Sequence, residues 1–287
     1  MEKADVQIFV QNVPVTIYKF SGGELHVKLP EPLIEYIYNR DIIEIHVRMN
    51  SSDAIMATLL VTDAIRQLCI VNPLIDLIMD YTPYARQDRL CDKGEAFSLK
   101  VLAGLINSQN YNSVFVLDAH SDVAPALINN CFNMSAESAI LRDETMVKLF
   151  EENDFVFVAP DAGAEKKVFK ITKAISDKVG KEFPLVQALK VRNPQTGQII
   201  STEVYSDELN GKHCMIFDDI CDGGRTFIEL SKVLREKGAT SVSLYVSHGI
   251  FSAGFDELRQ HIDHIYITYN LRPDFPKDYV TLLGDKE

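Results

Sequence analysis

The chain has 287 residues, 46% hydrophobic and 24% charged, with a net charge of −12 and a pI near 5.1. That length accommodates one large or two medium domains. The acidic balance argues against a nucleic-acid or anionic-membrane surface, because no basic patch could dominate such a field. The five cysteines (69, 91, 131, 214, 221) are scattered without a CxxC pair, as expected of free thiols in a reducing compartment rather than a zinc site or disulfide framework. The N-terminal MEKADVQIF carries no apolar signal region, and no run approaches the ~18 apolar residues of a membrane span. The expectation is a cytoplasmic protein.

In chain order, Val6–Val10 and Pro14–Phe20 read as short strands, followed by a turn at Phe20-Ser-Gly-Gly-Glu24 and alternating strands over Glu24–Leu29 and Ile42–Met49. Ser51-Ser52-Asp53 caps a helix over Ala54 to Leu68, where apolar residues recur at helical spacing. Leu74–Met79 is a buried strand, 81–97 a polar loop, Ser98–Ile106 a helix, and Val114–Leu117 a strand ending in Asp118-Ala-His120. Glu137–Phe150 reads as one helix. The same alternation then repeats: strand Phe155–Ala159 ending in Pro160-Asp161-Ala-Gly163, a helix to about Val179, and strand Leu185–Leu189 leading to Lys190, Arg192 and the turn Asn193–Gly197. Strand Cys214–Phe217, helix Thr226–Lys237 stopped by Gly238, and strands Val242–Val246 and Ile265–Thr268 complete it. Alternating strands and helices mean parallel sheets with right-handed crossovers. Two tandem α/β domains are expected, 1–145 and 146–287, with no low-complexity linker between them.

The most informative stretch is His213–Phe227, HCMIFDDICDGGRTF. It predicts a buried strand, a tight loop carrying Asp218, Asp219 and Asp222, and a helix start after Gly223, Gly224, Arg225 and Thr226. Small residues let backbone N–H groups face an anion, and the helix N-terminus adds positive partial charge. Acceptor-only carboxylates suit sugar hydroxyls or a magnesium ion. A ribose phosphate satisfies both halves; an ordinary strand-to-helix turn with acidic caps is the alternative. Other strand ends carry further polar groups. Arg86 and Arg89 are placed to clamp phosphates and Gln87 to read a base edge, unless the segment is simply a solvated loop. His120 is either a ligand or a hydrogen-bonded structural histidine, and Asp161, at an equivalent strand end, could share a metal with it. Lys190 and Arg192 suit a basic lid over phosphates, unless they are simply exposed basic residues on a loop. Together these groups are the equipment for moving a phosphorus group between phosphorylated partners.

YTPYARQDR at 81–89, with FSGGE at 20–24, DAH at 118–120, PDAG at 160–163, KVR at 190–192, DDICDGGRT at 218–226 and SHGIFS at 247–252, resembles the ribose-phosphate pyrophosphokinase (PRPP synthetase) family over nearly the whole chain. The resemblance implies two domains of type I phosphoribosyltransferase fold, with an active site between them completed by a neighbouring subunit, hence a homodimer or higher homo-oligomer. It implies that Arg86 and Gln87 contact ATP, and that Phe20 and Glu24 reach the adenine of an adjacent subunit's ATP. It places Mg²⁺ on His120 and Asp161, charge stabilisation on Lys190 and Arg192, the ribose hydroxyls on Asp218 and Asp219, and the 5′ end on loop 222–226. The implied reaction is attack of the sugar's C1 hydroxyl on the β-phosphorus of ATP, releasing AMP.

The sequence departs from the family pattern where it matters for the acceptor. The family's loop after the acidic pair is close to DTAGT; here Gly223 replaces a threonine and Arg225 a glycine. Losing a phosphate-binding hydroxyl costs about 1–3 kcal/mol, whereas an arginine adds a bidentate fork from another direction. These changes suit a diphosphate or 5′-ester, so ADP-ribose stands as the alternative acceptor to ribose 5-phosphate, giving an activated ADP-ribose pyrophosphate usable in NAD salvage. A relative without activity, serving as a regulatory binding partner, is a further reading. Gly22 stands where the family has aspartate, ALINNCF follows DAH in place of the family's GFF, and LCDKGEAFSLK lacks family arginines. Nucleotide regulation and the bacterial hexamer are therefore not carried over.

Overall fold

The computed structural model describes the chain except residues 39, 70–72, 193–198, 205, 207, 208, 273 and 285–287, and the side chains of 190–192 and 199–202. The turn expected at Asn193–Gly197 thus lies outside the described residues. The chain divides into two compact units, Met1–Met134 and Ser135–Glu287, a division N-terminal to the boundary expected at 145. No helix among the described residues is long and apolar enough to cross a membrane.

The first unit runs β1 (Glu2–Lys3), β2 (Ile8–Val10), β3 (Val13–Val15), β4 (Ile17–Lys19), β5 (Leu25–Val27), α1 (Glu31–Ile37), β6 (Ile42–Val47), α2 (Ser52–Leu68), β7 (Leu74–Met79), α3 (Ser98–Ser108), β8 (Ser113–Leu117), α4 (Val123–Leu127) and β9 (Cys131–Met134). A six-stranded sheet has the order β3-β2-β6-β7-β8-β9, and β1-β4-β5 form a small separate sheet. Strands β6 to β9 are parallel, while β2 is antiparallel to both neighbours. The hairpin between β2 and β3 turns at Gln11 and Asn12, both left-handed at φ 51° and 63°, as a two-residue turn between right-twisted strands requires. Helix α2 is capped by Ser51, whose hydroxyl accepts from Ala54 N–H. It buries Ala54, Ala57, Thr58, Val61, Thr62 and Ile65, a stripe at three- and four-residue spacing.

Helix α1 lies in a stretch to which no element is assigned from the sequence; Pro30 is its N-cap and Pro32 stands in its first turn, where the missing N–H would be unpaired anyway. The predicted strand Pro14–Phe20 is two strands, β3 and β4, in different sheets.

The second unit runs α5 (Ala136–Arg142), α6 (Glu144–Glu152), β10 (Phe155–Ala159), α7 (Glu165–Val179), β11 (Leu185–Arg192), β12 (Ile199–Val204), β13 (His213–Cys221), α8 (Arg225–Glu236), β14 (Ser241–Gly249), β15 (His264–Asn270) and β16 (Val280–Leu282). Its seven-stranded sheet has the order β12-β11-β10-β13-β14-β15-β16, parallel except for β12 against β11. Both faces are covered. One packs Phe157, Met215, Phe217 and Tyr245 against Phe150, Ile140 and Ile171 of the helices α5 to α7. The other packs Val158, Ile216 and Leu244 against Ile228, Leu230 and Leu234 of α8. Burial on both faces explains the near-continuous apolar runs of β10, β13 and β14.

The single helix expected over 137–150 is two. Asp143 leaves the helical conformation and accepts from Met146 N–H at 2.9 Å, with its other oxygen taking Gly284 N–H at 3.0 Å. An aspartate that caps a new helix ends the old one. Because Ala136 and Ile140 of α5 belong to this unit's core, the division falls before that helix.

Candidate active site

In the second unit the polar groups gather at the carboxyl ends of the parallel strands, where open α/β sheets take ligands. Asp218, Asp219 and Asp222 were expected in a loop; Asp222 lies there, but β13 continues through Asp218 and Asp219 to Cys221, paired with β14 (Asp218 with Val246, Ile220 with His248). Asp219 is only 6% exposed, and Asp218 Oδ1 accepts the Asp219 N–H at 2.9 Å. Desolvation pushes the Asp218 carboxyl well above the ordinary carboxylate range, the adjoining Asp219 carboxylate pushes it further, and Asp161 adds to this. Negative charge is thus concentrated where a cation or a set of hydroxyl donors relieves it.

Asp161 follows β10, its Oδ1 accepting from Gly163 N–H at 3.0 Å and Ala164 N–H at 3.1 Å, which orients it at the start of α7.

Beyond β13, Gly224 is left-handed at φ 78°, and a Cβ there would meet Leu258 at 2.8 Å, so only glycine fits both the turn and the packing. Helix α8 then begins at Arg225. No partner is found for the backbone N–H groups of Gly223, Gly224, Arg225 and Thr226 among the described residues. Arg225 is exposed and in no ion pair among the described residues, a cation at the end of a helix that favours anions. A Cβ on Gly223 would meet nothing nearer than Ser252 Oγ at 3.8 Å; packing therefore leaves room for a side chain that the sequence does not supply.

Lys190 and Arg192 lie at the end of β11, paired with β12 (Lys190 with Thr202, Arg192 with Ile199); their side chains are outside the described residues.

In the first unit, Arg86 and Gln87 are exposed on the loop between β7 and α3. The loop turns at Tyr84, left-handed at φ 61°, with Gln87 N–H donating to Tyr84 O at 2.8 Å. Arg89 was a candidate phosphate clamp, but its Nε and Nη2 donate to Asp88 at 2.7 and 3.0 Å. Asp88, buried, is the residue that sequence reasoning missed. It also accepts from Ser121 Oγ at 2.7 Å, which ties the Arg86–Gln87 loop to the loop bearing His120. The hydrogen bonds from Arg89 outweigh desolvation, and together with the Ser121 hydroxyl they hold its carboxyl down to about 2. His120 is exposed, following Asp118, which is buried and left-handed at φ 38°; Ala119 N–H is fixed by Asn133 Oδ1 at 3.0 Å. Phe20, 45% exposed, and Glu24 close the turn between β4 and β5 through Phe20 N–H to Glu24 O at 2.9 Å.

His120 and Asp161, expected to share a metal, belong to different units. Among the described residues no group of three or more His, Cys, Asp or Glu side chains stands close enough to hold a metal. One or two carboxylates are nonetheless what Mg²⁺ takes from a protein when substrate phosphates supply the other ligands. The oxygen donors of Asp161 fit that pattern.

Parallel α/β sheets with an acidic strand end running into a glycine loop and a helix start define the class: phosphoribosyltransferase-type domains. Residues 135–272 match the phosphoribosyl transferase domain model, and residues 2–109 match the N-terminal domain of ribose phosphate pyrophosphokinase. The chain belongs to the ribose-phosphate pyrophosphokinase family. Among its curated relatives, the ribose-phosphate pyrophosphokinase of Agrobacterium fabrum is 27% identical over 85% of this chain and 75% of its own length. That of Pyrococcus abyssi is 24% identical over 96% and 92%, and that of Ureaplasma parvum 28% identical over 86% and 70%. The crystal structure of phosphoribosylpyrophosphate synthetase from Mycobacterium smegmatis shares the fold, with a TM-score of 0.75 at 24% identity, covering 94% of this chain and 85% of that one.

Proposed function

We propose that the protein is a diphosphokinase that transfers the β,γ-diphosphoryl group of ATP to the C1 hydroxyl of ribose 5-phosphate, giving PRPP and AMP. The observation that carries this reading is the end of β13, where the adjoining carboxyl groups of Asp218 and Asp219 run directly into N–H groups at 223–226 for which no partner is found among the described residues. Hydroxyls at one end of the ligand and an anion at the other satisfy both. The C1 oxygen attacks the β-phosphorus, the bond from that phosphorus to the oxygen bridging it to the α-phosphorus breaks, and the hydroxyl proton is released. The work of the protein is positioning and charge neutralisation. Arg86 and Gln87 hold ATP, Lys190 and Arg192 balance charge on the transferring group, and Asp218 and Asp219 fix the ribose. Mg²⁺, on Asp161 and His120 and the ATP phosphates, would neutralise the polyphosphate. Phe20 and Glu24 serve the ATP of an adjacent subunit in a homodimer or larger homo-oligomer. All five cysteines are free thiols, which fits a cytoplasmic enzyme.

A second acceptor, ADP-ribose, is favoured by the vacant space at Gly223 and the exposed Arg225, which is in no ion pair among the described residues. Both features would accommodate a 5′-diphosphate ester in place of a monoester. The product would then be ADP-ribose 1-pyrophosphate. AMP release from ATP, followed with each acceptor in Mg²⁺, tests both readings. We expect turnover with ribose 5-phosphate; turnover with ADP-ribose alone would shift the assignment to the second acceptor. No AMP with either would leave a regulatory homologue.

A further inference from the structure

The turn after β14 is held more firmly than a surface loop needs. Phe251 is fully buried in the left-handed region at φ 48°, a conformation that a bulky residue adopts only when its surroundings impose it. Those surroundings are specific. Ile250 and Phe251 N–H both donate to Cys221 O, at 2.8 and 3.1 Å, and Arg272 Nη1 donates to Phe251 O at 2.8 Å. Gly249 leaves space for the Phe251 ring, which would lie 2.2 Å from a Cβ at that position. The outcome is the placement of Ser252. Its N–H donates to Asp222 O at 3.1 Å, its hydroxyl donates to Asp222 Oδ1 at 2.6 Å, and Ser252 Oγ borders the vacant position at Gly223.

Asp222 needs such a restraint. Aspartate readily folds back onto the N–H groups one or two residues ahead and onto helix starts. The N–H groups of 223–226 are within that reach and have no partner among the described residues. A released Asp222 carboxylate would compete for them with any anion and would repel it.

We infer that Ser252 is a positioning residue for the acceptor's anionic 5′ end: its hydroxyl holds the Asp222 carboxylate away from the N–H cradle of 223–226 and keeps that cradle open. This rests on the reading of the cradle as the acceptor's 5′ site.

Titration calorimetry with ribose 5-phosphate and, separately, with ATP tests it on the full chain, using the parent, Ser252→Ala, Ser252→Thr and the double variant Ser252→Ala/Asp222→Ala. The Ser252→Ala variant is expected to weaken ribose 5-phosphate binding about five- to tenfold while ATP binding stays within about twofold. Ser252→Thr should bind like the parent, and the double variant should bind ribose 5-phosphate more tightly than Ser252→Ala, because the competing carboxylate is gone. Undiminished ribose 5-phosphate affinity in Ser252→Ala overturns the inference. Equal weakening of both ligands, or a double variant weaker still, also overturns it, since a merely structural role does either. If the parent binds ribose 5-phosphate but forms no AMP, the diphosphokinase reading fails and the inference stands. If the parent binds only ADP-ribose, the same four proteins are titrated with that ligand, and binding of neither overturns both.

Discussion

The two units place chemistry at strand ends by different means. In the second, Asp218 and Asp219 sit on β13 itself, between β10 and β14 in the middle of a sheet buried on both faces. In the first, Arg86 and Gln87 stand on an irregular loop between β7 and α3, and one buried acid, Asp88, holds that loop through Arg89 and Ser121. A strand position fixes a side chain rigidly, but charge placed there is desolvated and opposes folding. A loop anchored by a satisfied acid leaves its functional side chains solvated, and there the charge of the anchor favours folding. The same kind of residue therefore has opposite effects on stability in the two places.

The largest effect expected from this contrast is at Asp218. If Asp218 holds the acceptor's hydroxyls as proposed, Asp218→Asn should reduce AMP formation by roughly a hundredfold or more, and at the same time raise the thermal midpoint or leave it unchanged, a trade of stability for activity. The pH dependence has a definite sign. The Asp218 carboxyl is raised in the folded protein, so the folded state binds the proton more tightly, and stability increases as pH falls from neutral through the raised value. Melting curves of parent and Asp218→Asn between pH 5 and 8 should converge toward low pH. An unstable Asp218→Asn that keeps its activity would erase the distinction between the units.

Much of this arrangement is visible in the sequence where a single rule governs. Leu74–Met79 and Phe155–Ala159 are apolar runs bounded by polar residues and form strands β7 and β10 with those bounds. Helix α7 ends where Gly180 takes the left-handed cap. The sequence misleads where function opposes propensity. Two adjacent carboxylates read as loop, yet tertiary pairing with β14 carries them inside β13; such local contradictions concentrate at functional positions. Asp88 is illegible for another reason. Inside RQDR it looks like one more solvated charge, and the partner that makes it an anchor, Ser121, lies 33 residues away. Ser252 likewise lies in SHGIFS without any local sign that it meets Asp222.

Asp88 gives the intermediate effect, and it tests the other half of the contrast. Asp88→Ala removes the acceptor for Arg89 and Ser121 and should destabilise by about 1–3 kcal/mol. It should also raise the KM for ATP about tenfold, with a smaller change in the acceptor's KM, because the loop carrying Arg86 and Gln87 loses its tether. Ser121→Ala should show the same pattern, weaker. Because the Asp88 carboxyl is held down to about 2, its contribution is complete at neutral pH and is lost only as pH falls below the ordinary carboxylate range toward that value. This is opposite in direction to Asp218. Equal rises in both KM values on Asp88→Ala would mean that the acid supports the fold at large rather than the Arg86–Gln87 loop.

The smallest effect is at the base of that same loop. Asp80, the residue after β7, accepts from His46 Nε2 of β6 at 2.6 Å, beside the Phe9 ring, with Glu44 and Arg48 the other charges acting on the histidine. The bond to Asp80 raises the His46 pKa against the opposing effect of burial. The pair therefore contributes fully below the ordinary histidine value of about 6.5 and loses its contribution as pH rises through the raised value. With both side chains partly solvated, that contribution is about 0.5–1 kcal/mol. Urea midpoints at pH 6 and pH 8.5 should differ more for the parent than for His46→Gln, and the two proteins should approach one another at the higher pH. A His46→Gln variant that keeps the parent's pH dependence would show that this pair does not set it, and would leave Asp88 as the tether of the Arg86–Gln87 loop.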